Sequence, residues 1–555
     1  NQVNTQNLKR NESATNGDES AQALTKNETE ETQNDDSNGI ALYAADTTEQ
    51  KSVKAIWAKV IGANHNDGIN SAVVTSDGGC IVGGRFQTDS LNLGNNIVLK
   101  SKSDFNYPGT GMVIKYDDNG EVEWADAIGG NYYDSITSVA ECRDGGYIVG
   151  GTCGSEYISG NGFSLTATIT NYDTGVLIKY DSNGKAEWAR IIGEEGMYGT
   201  TRISSLATTE DGGCIVVGDY YSSNKSVNLG NEISLPNTAN YAHYGMIIKY
   251  NRSGEVEWAQ AIGGDYDNRI KSVAECRDGG YIIGGYFKSS TIDLENGVVI
   301  TNKGNSTISD GMLIKYSSSG KVEWAQGIGG NKEDQITSVA GTSDGGYIAG
   351  GYFESSSIDL ENGESLTNKG SADGILIKYS NSCEIEWTKV IGGTKDDYIS
   401  SIAETSDGGY IVGGYLFSNS LDLENGVNLT KDSSGDGMVL KYDKTGKSEW
   451  AEVIGGSGLD EINSVSECYD GSYIVGGNLD SQGVNLGNNI VIGKNGAYNN
   501  GMVIKYEDWV KRSSVLVHHY IKDTTTSLSD DVTINGKVGD AYSASPATDI
   551  PEYYE

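Results

Sequence analysis

From Asp334 to Gly393 the chain alternates short apolar runs with turn residues. Ile336-Thr337-Ser338-Val339-Ala340 is the first run, and Asp344-Gly345-Gly346 turns it into Tyr347-Ile348-Ala349-Gly350-Gly351. A polar excursion leads to Asp373-Gly374-Ile375-Leu376-Ile377-Lys378-Tyr379. A second turn leads to Glu386-Trp387-Thr388-Lys389-Val390-Ile391-Gly392-Gly393. Four short runs bounded by Gly, Asp and Asn predict four β-strands. The unit then starts again, and a period of about 60–67 residues indicates a propeller or an array.

Three markers count the copies. The turn Asp-Gly-Gly begins at Asp77, Asp144, Asp211, Asp278, Asp344 and Asp407, and as Asp-Gly-Ser at Asp470. The run Gly-x-x-Ile/Leu-Lys-Tyr begins at Gly111, Gly175, Gly245, Gly311, Gly374, Gly437 and Gly501. The Trp of the last run stands at Trp124, Trp188, Trp258, Trp324, Trp387 and Trp450, one copy short. The missing copy stands before the first repeat, as Trp57-Ala58-Lys59-Val60-Ile61-Gly62. Closing an array into a ring removes its exposed edges, and an N-terminal run that completes the last blade would do this. The prediction is all-β: a seven-bladed β-propeller of four-stranded blades over 52–508, closed by an N-terminal strand. A partial small β-rich module at the C-terminus follows it.

Asp310-Gly311-Met312-Leu313-Ile314-Lys315-Tyr316, Trp324, Ile328-Gly329-Gly330, Asp334, Ile336 and Asp344-Gly345-Gly346-Tyr347 resemble the bacterial β-propeller repeat family abbreviated SBBP. The resemblance covers most of 52–508. It implies a secreted or surface protein and brings no catalytic motif. Beyond Tyr506 the repeat stops. Ser514-Val515-Leu516-Val517-His518-His519-Tyr520-Ile521, Gly536-Lys537-Val538-Gly539-Asp540-Ala541-Tyr542 and Asp549-Ile550-Pro551-Glu552-Tyr553-Tyr554 are similar to the start of a mucin-binding-protein (MucBP) module. The connection Asp523 to Asp531 is longer than that pattern has. The module at 514–555 is expected to be truncated, and the resemblance implies display on a Gram-positive cell surface.

Composition narrows the partners. A net charge of -37 speaks against nucleic acid, whose phosphates would be repelled, and against anionic membrane surfaces. With 76 Gly and 4 Pro, the turns are tight hairpins rather than a proline-rich tail. No apolar run is long enough for a membrane span, so no membrane insertion is expected. Residue 1 is Asn rather than Met, which fits a chain whose signal peptide has been removed. Residues 1–51 are polar and are expected to be a disordered spacer, with Ile40 to Ala45 as the one apolar patch.

Within a repeat the connections differ. The first and third are tight turns, as in Asp117-Asp118-Asn119-Gly120 and Asp181-Ser182-Asn183-Gly184, while the second is long, as from Tyr286 to Asp310. Antiparallel order puts the long connections and the blade-to-blade loops on one face, the expected binding face. Its candidate ligand residues are of two kinds. An aspartate two residues before the first Ile of the unit recurs at Asp67, Asp134, Asp334, Asp397 and Asp460, with Thr201 and Asn268 in the other two repeats. These are either an acidic ring that takes a cation or polar ligand, or loop-closing side chains bonded to nearby backbone. Tyr157, Tyr172, Tyr220, Tyr221, Tyr241 and Tyr244, in or bordering the long connections, offer stacking faces with hydrogen-bonding tips, or else pack the inserts onto the blades. The Asp-x-Asn-Gly turns lack the later Glu of a calcium loop and are read as hairpins.

Cys80, Cys142, Cys153, Cys214, Cys276, Cys383 and Cys468 include no C-x-x-C pair and are expected to be free, buried thiols. His65, His243, His518 and His519 are scattered and form no metal set or triad. No catalytic residue, metal or cofactor is expected. The expected function is adhesion or ligand binding by a monomeric, extracellular propeller, with a host or bacterial surface glycan or protein as partner. A glycan-active enzyme using loop carboxylates, or a plain spacer, are the alternatives.

Overall fold

The computed structural model of the protein describes residues 51–510 except 104–108, 168–172, 194–198, 223–225, 237–241, 305–306 and 432–434. It also describes 3–4, 9–10, 512–517, 520–521 and 532–537. Two compact units result: Val53–Asp508, and a second formed by Asn1–Ser52 with Trp509–Glu555.

The first unit is a seven-bladed β-propeller. Blades 1 to 7 are numbered by their innermost strands: Gly68–Val74, Asp134–Glu141, Gly199–Thr208, Asn268–Glu275, Asp334–Gly341, Asp397–Glu404 and Glu461–Glu467. These strands neighbour one another around the central channel. In blade 5, Asp334–Gly341, Tyr347–Phe353, Asp373–Tyr379 and Ile385–Ile391 follow outward in chain order, each antiparallel to the last. Blade 7 departs from chain order. Its outermost strand is Lys51–Ile61, hydrogen-bonded to Asn500–Val510. The displaced Trp run therefore closes the ring.

In blades 1 to 6 the third strands are buried along their whole length, Thr110–Tyr116 and Asp373–Tyr379 among them. Each blade is covered on both faces by its neighbours, so apolar side chains are needed on both faces of a strand. Packing between blades is close. A Cβ on Gly350 would lie 2.2 Å from Cδ1 of Ile402 in the next blade. At Gly120 (φ +75°) a Cβ would lie 2.8 Å from the ring of Trp57, whose Nε1 donates to the Asp118 carbonyl at 2.9 Å. Glycine in the third turn thus supplies both the left-handed backbone and a seat for the neighbouring Trp.

The Asp-x-Asn-Gly segments are hairpin turns. Asp117 Oδ1 accepts from the backbone N–H of Asn119 and of Glu121, at 2.9 and 2.7 Å. The long second connections each carry a two-stranded hairpin, such as Ser90–Gly94 with Ile97–Lys100 and Thr291–Leu294 with Val298–Thr301. These hairpins fold outward along the outermost strands. Asn95 Nδ2 donates to the Val122 carbonyl at 3.1 Å, and Leu91 and Leu99 pack into the core between blades 7 and 1.

The Lys of Gly-x-x-Ile/Leu-Lys-Tyr is the least expected core residue. Lys378 is 1 % exposed, yet its ammonium bonds Asp344 at 2.9 Å, Glu386 at 3.0 Å and the Tyr379 carbonyl at 2.9 Å. Asp344 belongs to the first turn and Glu386 precedes the outer Trp, so one buried cation ties together three strands. Lys115, Lys179, Lys249, Lys315 and Lys441 repeat the arrangement. In blade 7 the run before Trp57 offers Ile56 instead of Glu, and Lys505 takes Asp118 of blade 1 with Asp470.

In the second unit Val3–Asn4 pairs with Tyr520–Ile521, and Lys9–Arg10 pairs with Arg512–Val517, which pairs with Val532–Lys537. Part of the stretch expected to be disordered is thus in strands, because pairing with an open strand edge uses backbone groups and needs no apolar side chain. Ile40 to Ala45, His518, His519, Asp523 to Asp531 and 538–555 lie outside the described residues.

All seven cysteines are free, and burial pushes Cys80, Cys142, Cys153, Cys214, Cys276 and Cys468 above the usual thiol range. A thiolate is the reactive form, so these six thiols should be inert in the folded protein. Alkylation without reduction should label all of them only after denaturation, as read by mass spectrometry. A bridge between any two would contradict this packing.

Stability should depend on pH with a defined sign. Burial pushes Asp134, Asp310 and Asp373 up to about 6 and Glu452 up to about 7. A value raised in the folded state stabilises below the unfolded value and loses that contribution as pH rises through the folded one. The turn aspartates, such as Asp77 and Asp344, act oppositely. Burial works against them, but the bonded lysine and turn donors hold them below the usual carboxylate range, so they weaken the fold only in stronger acid. The urea midpoint should therefore be higher at about pH 5 than at about pH 8. Glu452→Gln should recover on the order of 2 kcal/mol at the higher pH. A midpoint that rises from pH 5 to 8 would contradict the assignment.

Candidate functional site: the mouth of the central channel

The five recurring aspartates are buried and bonded to their own loops. Asp397 accepts from the backbone N–H of Gly393 (2.9 Å), Phe417 (3.0 Å) and Ser418 (3.0 Å), and from Ser418 Oγ (2.6 Å). Asp334 and Asp460 repeat the set. Asp67 accepts from Ala63, Gln87 and Thr88, and Asp134 from Gly130 and Ser155. Each ties a blade-to-blade loop to the loop leaving the second strand, as a loop-closing side chain does. They are 0–2 % exposed, and only Asp67 borders the channel cavity.

The tyrosines divide. Tyr220 and Tyr244 are buried with ring centroids 5.8 Å apart, and the Tyr220 hydroxyl donates to the Pro236 carbonyl, so this pair anchors the blade 3 insert. Tyr157 is 65 % exposed on the blade 2 hairpin. Tyr221 is half-buried with its ring 6.0 Å from that of His243. Tyr172 and Tyr241 lie outside the described residues. Of the described ones, Tyr157 stands on blade 2 and Tyr220, Tyr221 and Tyr244 on blade 3.

The structure brings another set together. On the face of the blade-to-blade loops the channel opens into a cavity of about 770 Å³. Three positions per blade build its wall: the first and third residues after the recurring Asp, and the residue paired with the first on the second strand. Most blades place small polar groups at the third position, where they latch onto the next blade. Thr137 Oγ1 donates to the Ile203 carbonyl at 2.7 Å, Thr337 Oγ1 to Ile399 at 2.6 Å, and Asn463 Nδ2 to Ile69 at 2.8 Å.

Blades 3 and 4 depart from the repeat. Their first positions are Arg202 and Arg269, and the third position of blade 4 is Lys271. Arg202 Nε donates to Asp173 at 2.7 Å, and its Nη1 stands 3.6 Å from Asp219. Asp219 is 3 % exposed and shares a 2.8 Å contact with His243 Nδ1. Burial pushes its carboxyl up, but the His243 bond and the charges of Arg269, His243 and Arg202 hold it below the usual range. Among the described residues Arg269 Nε is buried without a hydrogen-bond partner. Among the described residues no carboxylate pairs with Lys271; its ammonium lies 5.6 Å from the Tyr286 ring centre. Burial pulls Lys271 below the usual lysine range, Asp219 opposes this, and Arg269 and Arg202 add to it. These two blades are the ones with Thr201 and Asn268 in place of the recurring Asp.

Blades 5 and 6 supply an aromatic wall. Tyr352 and Tyr398 meet edge to face at 4.7 Å, and Tyr415 lies 6.2 Å from Tyr398 with its hydroxyl on Asn463 Oδ1 at 3.1 Å. The repeat pattern hides the cationic wall and Tyr398, because they are departures from it, whereas Tyr352 and Tyr415 share a repeat position with Tyr286. Aligning the repeats and reading the first and third positions after the Asp would have marked Arg202, Arg269, Lys271 and Tyr398.

No family model matches the chain. It is 21% identical over 549 residues to an uncharacterised WD repeat-containing protein of Acanthamoeba polyphaga mimivirus, covering 82% of this chain and 38% of that protein. It is 24% identical over 333 residues to the regulatory protein FlaEY of Caulobacter vibrioides, covering 55% of this chain and 33% of that protein. The chain thus spans 33–38% of these relatives' length. Among solved structures, Sqt1 from Chaetomium thermophilum aligns over 82% of this chain and 99% of its own, at 11% identity and a TM-score of 0.38. A Bacteroides caccae protein of unknown function aligns over 64% and 92%, at 12% identity and a TM-score of 0.33. The chain is a β-propeller repeat protein, a scaffold suited to ligand or protein binding. Among the described residues no helix is long and apolar enough to cross a membrane.

Proposed function

We propose that the protein is a non-catalytic binding module, displayed outside the cell, whose ligand seats in the mouth of the central channel. The observation that carries this is the cavity between the cationic arc of blades 3 and 4 and the tyrosines of blades 5 and 6. Its volume falls in the range of small-ligand sites, about 300–1,000 Å³. The cavity carboxylates already have partners within the protein. Asp67 is bonded to its loop, Asp219 is held by His243 and arginines, and Glu461 accepts from Asn478 at 2.8 Å. The raised Asp310 and Asp373 are buried between blades beside Asp334 and Asp397. Extracellular display in adhesion, and attachment to a Gram-positive surface, rest on the SBBP and MucBP resemblances and on the acidic composition.

A glycan and peptide array probed with residues 51–510 tests the placement. Binding should be lost in Tyr398→Ala and kept when Asn119 and Asn183, in turns on the opposite face, are replaced by Ser. If only the turn variants lose binding, the channel mouth is not the site.

A further inference from the structure

Resting on that placement, we infer that the channel mouth recognises an acidic sugar, a carboxylate-bearing pyranose at the end or within a glycan. The first support is charge reversal. The cavity wall carries Arg85, Arg202, Arg269 and Lys271 against Asp67, Asp219 and Glu461, four cations to three carboxylates, in a protein of net charge -37. The second is unmet bonding. Arg202 is paired within the protein, but Arg269 Nε and the Lys271 ammonium have no hydrogen-bond partner among the described residues. A desolvated cation without a partner is costly, and a carboxylate held by an adjacent Arg and Lys would meet that need.

The third support is that these residues break the repeat where it matters. Equivalent positions in blade 5 are Gln335 and Thr337, and Thr337 latches blade 5 to blade 6. Lys271 gives up that latch, while Thr201 and Asn268 still make loop-closing bonds in place of the recurring aspartate. Departures from a local rule without structural gain are expected at functional positions.

The remaining wall favours a sugar over a simple anion. Tyr352, Tyr398 and Tyr415 continue the arc from the cations and offer ring faces and edges to the C–H face of a pyranose. On the same cavity wall the side chains of Thr152, Ser204 and Gln335 have no hydrogen-bond partner among the described residues and are free to bond ring hydroxyls. The wall has little exposed aliphatic surface to hold a peptide side chain.

The test uses two oligosaccharide series as probes, galacturonic acid oligomers and the neutral galactose oligomers of equal length. Affinity is measured by titration calorimetry on residues 51–510. The acidic series should bind at least about tenfold more tightly, with a preference that weakens as salt rises. Arg269→Gln and Lys271→Thr install the residues blade 5 already carries, so the fold should persist, as circular dichroism and the melting curve would show. Together they should abolish the preference for the acid, whereas Tyr398→Ala should weaken both series. Equal binding of both series would overturn the acidic specificity and leave the channel mouth standing as a binding site. So would an acid preference unchanged in Arg269→Gln/Lys271→Thr. Binding of neither series up to millimolar concentration would overturn the sugar class; an array hit on acidic peptides, lost in Tyr398→Ala, would then reassign the site to a peptide.

Discussion

Removing residues 51–61 should unfold or aggregate the protein under conditions where the full chain stays folded. The deleted strand carries Val53 and Ala55 into the core of blade 7, and Trp57 and Ile61 into the core shared with blade 1. Burial of side chains the size of Val53 and Ile61 or larger contributes about 1.5–3 kcal/mol each, and Ala55 less. Their sum is comparable with the whole stability of an ordinary domain, about 5–15 kcal/mol. The deletion also exposes the Asn500–Val510 edge, which would template association with other chains. Light scattering and thermal melts read both effects. Trp57→Ala is the milder test and should cost about 3–5 kcal/mol, since it opens a cavity. A synthetic peptide spanning 51–62 should raise the melting temperature of the truncated chain, as strand addition restores the blade. An unchanged melting curve after deletion would sink the closed ring.

Asp344→Ala should lower the urea midpoint by the equivalent of about 3 kcal/mol. It removes bonds from Lys378 Nζ at 2.9 Å, Thr342 Oγ1 at 2.5 Å and Gly346 N at 2.9 Å, leaving a buried ammonium short of an anion. Lys378→Met should cost less, although it deletes the cation at the centre. It removes the charge together with its need for partners, and the carboxylates left behind, 54 % and 44 % exposed, can be hydrated. Glu386→Ala should cost less than Asp344→Ala, because Asp344 also closes the turn. Urea titrations followed by circular dichroism give the three midpoints. If Lys378→Met were the most damaging of the three, the ion pair itself would be the source of stability and this ordering would be wrong.

The sequence determined the ring. Seven copies of three markers, with one Trp run moved to the N-terminus, left closure by Lys51–Ile61 as the arrangement without a free edge. It determined the tight turns, because Asp117-Asp118-Asn119-Gly120 names both its Asx bond and its left-handed glycine. Those are local features, set by residues a few positions apart. What only the tertiary structure decided is how residues in different blades meet. The invariant Lys of each repeat reads as one polar residue in an apolar run; only folding brings Asp344 and Glu386 to Lys378 from opposite sides. The tyrosines Tyr220 and Tyr244 read as a binding surface until folding packs them under an insert. Arg202, Arg269, Lys271, Tyr352, Tyr398 and Tyr415 are spread over four repeats of sequence. The ring sets them on adjacent arcs of one wall, because rotation about the channel axis turns equal positions in successive repeats into neighbours.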